Sequence, residues 1–287
     1  MKNTIQSILT LFLIVFGFSA KAQTNVPKLE NTLLWEVSGN GLKKPSYLYG
    51  TIHMICAPDY FLSDKTKRAF EASNKLVLEI NFNDPKELTE MQQLAMGKEP
   101  LSKKLSPEQL SKLDAILKST TGMGVQQVDS FSLVTVLSLI SMKSFGCADL
   151  KFYEMEFIDQ AKKRSIEISG LETVKAQFAT LENAYSNDEM IALLEESDME
   201  ETSKLVAAYK TENLEILYDI STDKKVTSDK IRKIILDNRN SNWVKEMPQQ
   251  MQKESVFFAV GAGHLGGEFG VINLLRNAGF VVKPIMN

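Results

Sequence analysis

Two histidines occur in the 287 residues, and both complete the same short pattern. Gly50-Thr51-Ile52-His53 follows the run Ser46–Tyr49, and Gly261-Ala262-Gly263-His264 follows Ser255–Val260. Each GxxH therefore sits just beyond an apolar stretch that reads as a β-strand. Glycine at a strand exit lets the backbone bend sharply or approach a ligand closely. In open α/β sheets, ligands gather at the carboxyl ends of strands. Two such exits side by side would bring two imidazoles together. Two neutral imidazoles and one carboxylate form a catalytic metal set with a position left for water.

Glu79 is the first choice for that carboxylate. It lies inside Leu76–Ile80 (LVLEI), where apolar neighbours mean that a charge needs a partner. Glu172, beyond the run Ser165–Ser169, is the second choice, and Glu154 or Glu156 in YEMEF the third. Glu268 follows His264 by four residues, but Gly266 and Gly267 between them favour solvent or a supporting contact. The plainer alternative is a structural histidine and an edge-strand glutamate. The repeated motif, with no histidine elsewhere, favours one shared polar site.

The elements that must position these residues are legible in outline. Leu33–Val37 and Ser46–Tyr49 read as strands joined at Asn40-Gly41, a hairpin-type turn. Ser63 and Asp64 can cap a helix running to about Ser73. Ser106-Pro107-Glu108-Gln109 is a capping box with proline at the first helical position. Phe131–Met142, Phe152–Lys163, a long stretch from Val174 to about Asp219, and Ser228–Met247 are helical in pattern. Gly279 stops a last helix before the strand Phe280–Pro284. Strand, GxxH, loop, helix and strand thus occur twice. The expected class is α/β: two such units share a central mixed sheet, with a largely helical middle, about 86–163 and 174–250, as cap or flank.

Residues 1–22 combine Lys2, an apolar run from Ile5 to Phe18 and Ala20-Lys21-Ala22, the pattern of a cleaved signal peptide. Residues 23–287 then form a single domain, exported to the periplasm or secreted, with no membrane association after cleavage. The whole chain has net charge −3 and loses two lysines with the leader, leaving −5. Such a mixed, mildly acidic surface excludes nucleic acid as partner, since phosphate binding needs a basic face. Cys56 and Cys147 are the two cysteines. An exported chain permits one disulfide between them; two buried thiols are the alternative.

The chain resembles the TraB/GumN family, relatives of the Tiki proteins that antagonise Wnt signalling by proteolysis. The likeness rests on Gly50–His53, on LVLEI with Glu79, on Gly170–Gln177 (GLETVKAQ), on DNRNSNW with Arg239, and on Gly261–Phe280. It implies a paired-GxxH hydrolase fold, also proposed for erythromycin esterase-like enzymes. It further implies a divalent ion (Mn, Co or Zn) on His53, His264 and Glu79, with Glu79 and Arg239 catalytic. Gly50, Gly261, Glu154, Glu172 and Glu268 would support the site or touch substrate. The expected reaction is hydrolysis of a peptide or small molecule. The alternatives are a metal-free, esterase-like hydrolase and a non-catalytic peptide-sequestering protein. The chain lacks the carboxy-terminal anchor of animal Tiki proteins, which implies a freely diffusing form.

Overall fold

The structure, a computed structural model, describes residues 28–196 and 199–286; the leader expected at 1–22 lies outside them. Eight strands are present among the described residues: β1 (Leu34–Ser38), β2 (Ser46–Thr51), β3 (Met54–Cys56), β4 (Lys75–Ile80), β5 (Leu150–Phe152), β6 (Glu167–Glu172), β7 (Val256–Gly261) and β8 (Val281–Pro284). Six of them form one sheet in the order β6-β4-β7-β2-β1-β8. β6, β4, β7 and β2 run parallel, while β1 is antiparallel to both β2 and β8. This is a mixed α/β sheet.

Neither strand–GxxH–helix–strand unit pairs its own two strands. β7 lies between β2 and β4, and β2 and β1 lie between β7 and β8. The units interleave rather than abut. What the sheet does place side by side is β2 and β7, with Thr51 opposite Gly261. Both GxxH turns therefore leave the sheet at one edge of the same parallel pair.

The central strands are apolar almost throughout, as strands covered on both faces must be. Every residue of β7 (VFFAVG) is buried. Burying each of Phe257 and Phe258 is worth roughly 1.5–3 kcal/mol. Phe257 packs with Tyr49, Phe70 and Phe157, ring centroids 5.2–6.0 Å apart. A second core, built on Leu113, Leu117, Val136, Ile140 and Ile191, belongs to the helices alone. The helical stretch after Val174 is split into Val174–Ala184, Asn187–Glu196, Met199–Lys210 and Leu214–Ser221. No helix of the described residues is long and apolar enough to cross a membrane.

A small ribbon of β3 and β5 was not legible in the sequence. Three-residue strands carry too little alternation to register as a pattern. The ribbon follows His53 directly and is fastened by the Cys56–Cys147 disulfide, which closes a separation of 91 residues. A loop of that length stabilises by about 4–5 kcal/mol in the chain-entropy account. The Cys56→Ser/Cys147→Ser double variant should lose most of that in urea denaturation. An unchanged midpoint and slope would show that the bridge constrains little.

Candidate active site

Four strand ends converge. From the edge inwards, β6 contributes Glu172, β4 Glu79, β7 the turn to His264, and β2 the turn to His53. His53 has φ 62°, the left-handed region. Non-glycine residues there cost of order 1–3 kcal/mol and cluster at functional sites. The conformation is held on both sides: the His53 carbonyl accepts from the Tyr153 N–H at 2.8 Å, and its N–H points to Thr51 Oγ1 at 3.4 Å.

Glu79 is the hub. Its Oε1 accepts from the Gly261 N–H at 2.7 Å. Its Oε2 accepts from Arg239 Nη2 at 2.7 Å and Gln177 Nε2 at 2.8 Å. The Nε2 atoms of His53 and His264 each lie 3.9 Å from that same Oε1. Burial opposes ionisation of Glu79, but Arg239, then the two imidazoles and the Gly261 N–H, outweigh it and hold the carboxyl well below its ordinary range.

The imidazoles are oriented by different partners. His53 Nδ1 donates to Glu154 Oε1 at 2.8 Å, which also accepts from Thr51 Oγ1 at 3.0 Å. His264 Nδ1 donates to Asn240 Oδ1 at 2.5 Å. The amide of Asn240 cannot turn over, because its Nδ2 donates to the carbonyls of His264 and Phe269 at 3.3 and 2.9 Å. In both rings Nδ1 thus carries a hydrogen, and the neutral ring presents its lone pair at Nε2. On His264 that lone pair accepts from Arg239 Nη1 at 3.1 Å.

The two rings differ in charge for physical reasons. Burial alone would lower His53, but Glu154, and behind it Glu79, push it up to about 9. Burial and the neighbouring Arg239 take His264 down to about 3. For His53 the folded value lies above the unfolded one, so its contribution is complete below about 6.5 and lost as pH rises through 9. For His264 the order is reversed: its contribution is present above about 6.5 and lost as pH falls towards 3. With two histidines in the chain, imidazole NMR resolves this directly. One resonance should titrate near pH 9 and the other stay neutral through pH 5. Two titrations near 6.5 would contradict the asymmetry.

Arg239 ties the cluster together. Its Nε donates to both oxygens of Glu172 at 3.0 and 3.1 Å, and Nη1 also donates to the Ile235 carbonyl at 3.0 Å. Four of its five N–H groups are thereby used, which leaves one without a partner among the described residues. Trp243, one helical turn on, stacks under the guanidinium at 4.9 Å and on His264 at 4.4 Å, and its Nε1 donates to Glu172. These residues lie on one helix face, Asn238–Met251, entered through a π-helical turn at Lys233–Asp237. Such turns recur at functional sites because they re-aim the face that follows.

The candidates from sequence sort clearly. His53, His264, Glu79, Arg239 and Gly261 lie together around the Glu79 carboxylate. Glu154 is one of them through His53, whereas Glu156 pairs with Lys151 outside the cluster. Glu172 reaches Arg239 and Trp243, not the imidazoles. Glu268 is exposed, and among the described residues only its backbone carbonyl is engaged, by Asn273. Gly50 serves packing: a Cβ there would stand 2.9 Å from Leu265 Cδ1 and 3.1 Å from Ala262 Cα. Asn240 and Gln177 were missed. Asn240 adjoins Arg239, but an amide in a polar helix carries no signal without its partner.

Among the described residues, no group of three or more His, Cys, Asp or Glu side chains stands ready spaced for a metal ion. Ligands at ~2.1 Å in a tetrahedron lie about 3.4 Å apart, so the two 3.9 Å separations are slightly open. The donor types nevertheless fit, although Arg239 Nη1 would have to give up the His264 Nε2 lone pair to an ion. Both Nε2 atoms face one carboxylate oxygen, and each Nδ1 is tied by the kind of partner that orients metal-ligating histidines. The space between them depends on Gly261, where a Cβ would stand 3.1 Å from His53 Nε2 and 3.3 Å from Glu79 Oε1.

The fold and this cluster define an α/β protein with a histidine–carboxylate–arginine centre at the carboxyl ends of parallel strands. The chain belongs to the TraB/PrgY/gumN family, which it matches over residues 33–284. It is similar to Metalloprotease TIKI1 of Danio rerio, 25% identical over 93% of this chain and 66% of the relative. It is also similar to Metalloprotease TIKI1 of Xenopus tropicalis (24%, covering 88% and 61%) and of Homo sapiens (23%, covering 88% and 62%). The chain spans about two thirds of the length of these relatives or slightly less.

Proposed function

We propose that this protein is a metal-dependent peptide hydrolase acting outside the cytoplasm. One observation carries the reading: two imidazoles with tethered Nδ1 atoms turn their Nε2 atoms to one buried carboxylate oxygen. The metalloprotease relatives support it, and the disulfide suits an oxidising compartment. His53, His264 and Glu79 would hold the ion. A divalent ion there would polarise the scissile carbonyl and lower the pKa of a bound water to about 7. Glu79, held ionised by Arg239, is too weak a base to take a proton from water. Its part is to supply fixed negative charge. Arg239 keeps that charge in place and offers its remaining N–H to substrate. Without an ion His53, half exposed at the cleft, holds a proton at neutral pH, and that proton must leave Nε2 for the ion to bind.

Metal content and turnover of a fluorogenic peptide mixture test the reading together. Wild type should retain about one ion per chain, and His53→Ala and His264→Ala should lose both ion and turnover. Equal, negligible metal in all three would sink it. A second reading follows from Arg239 Nη1 on the His264 Nε2 lone pair. In this form the cluster works without metal, with His53 as general acid. Turnover unaffected by chelator would select it.

A further inference from the structure

A cavity of about 310 Å³ opens against His53, and its walls come from the helical middle. Ile52, Met54, Phe145 and Ile220, all buried or half-buried, line it with His53; Glu196 and Asp223, both exposed, mark its rim. That volume is at the lower end for small-ligand pockets and suits one long side chain. The lining combines apolar side chains and a few hydroxyls with carboxylates at exposed positions. Glu201, also lining, shares its charge with Lys204 at 2.8 Å. Among the described residues, neither Glu196 nor Asp223 has an ion-pair partner; the Asp223 carboxylate accepts only from the Lys225 N–H, at 3.0 Å. Lys225 is the one lysine or arginine in the lining, beside His53, against the three carboxylates Glu196, Glu201 and Asp223.

We infer that this cavity is a specificity subsite for a lysine or arginine side chain of the substrate peptide. A long cationic side chain lays its methylene stem on apolar surface and keeps its charged head at the polar margin. Here the stem meets Ile52, Met54, Phe145 and Ile220, and the head meets Glu196 and Asp223. An acidic side chain would meet like charge at the rim. Because His53 belongs to both the lining and the candidate centre, a residue seated here sets the neighbouring backbone beside that centre. The inference rests on the hydrolase reading for its reaction, but not for its binding.

The test is binding of fluorescein-labelled Gly-Ala-X-Ala-Gly amides to the full wild-type chain in chelator, with X lysine, norleucine or glutamate. Fluorescence anisotropy reads affinity, and mass spectrometry confirms that the peptides stay intact. Lysine should bind about tenfold more tightly than norleucine, and glutamate most weakly. Glu196→Gln/Asp223→Asn, both at exposed positions, should bring lysine to the norleucine level. Norleucine binding as well as lysine, a lysine preference that survives the double substitution, or no binding of any peptide to millimolar concentration would overturn the inference. A lysine preference without turnover under any condition would sink the hydrolase reading alone.

Discussion

Arg239→Met is expected to destabilise the folded protein by about 3–5 kcal/mol in urea denaturation at pH 7, the range for stranding buried charge. Three groups lose their partner at once. Glu79 and Glu172 are about one tenth exposed, and the His264 Nε2 lone pair is buried beside them. Glu79 retains the Gly261 N–H and Gln177, and Glu172 retains Trp243, but neither keeps a full positive charge from Arg239. Arg239→Lys should recover little, because one ammonium cannot match a planar fork spanning two carboxylates and an imidazole. Acidification provides the discriminating control. In wild type the depressed Glu79 contributes stability above the ordinary carboxylate range, lost as pH falls through its folded value. In the variant, burial is no longer outweighed, so the folded carboxyl protonates early. The gap between the two proteins should therefore narrow towards pH 4. A gap that is constant with pH would point to lost packing on Trp243 instead.

His53→Asn should separate activity from stability. Peptide turnover is expected to fall at least ~10²-fold: through loss of the ion if His53 is a ligand, and by roughly 10²–10⁴-fold if it is the general acid of the metal-free form. Stability at pH 7 should change by no more than about 1 kcal/mol. Asparagine tolerates the left-handed conformation that residue 53 adopts, and the His53 ring is half exposed, so its pairing with Glu154 is screened. Above pH 9 wild type loses the advantage of the charged imidazole, and the variant should match or exceed it. Turnover and urea midpoints at pH 7 and pH 10 check both halves. Retained turnover would remove His53 from the chemistry. A large loss of stability at pH 7 would mean that residue 53 holds the fold rather than the site.

What could be read beforehand follows from how far each signal extends along the chain. The GxxH turns and Glu79 were legible because each is anomalous against its own neighbours. A charge inside LVLEI, or a rare imidazole after an apolar strand, needs a reason locally. Arg239 came from resemblance, since nothing in a polar helix marks it out. Asn240 and Gln177 declare themselves only through partners 24 and 98 positions away, His264 and Glu79. The interleaved strand order was hidden for a similar reason. Periodicity shows that Ser255–Val260 is a buried strand, but not that it slots between strands made two hundred residues earlier.

That slot has a consequence in time rather than space. β7 is the strand between β2 and β4, and it arrives late, at Val256–Gly261. A growing chain carries His53 and Glu79 for most of its synthesis without the strand that brings them into register. The nascent sheet has a gap at its centre, and contacts of such sequence separation form slowly. Until the residues through His264 have emerged, the centre does not exist and Glu79 lacks its Gly261 donor. A chain threaded unfolded across a membrane would reach the far side chemically silent and assemble its site only there.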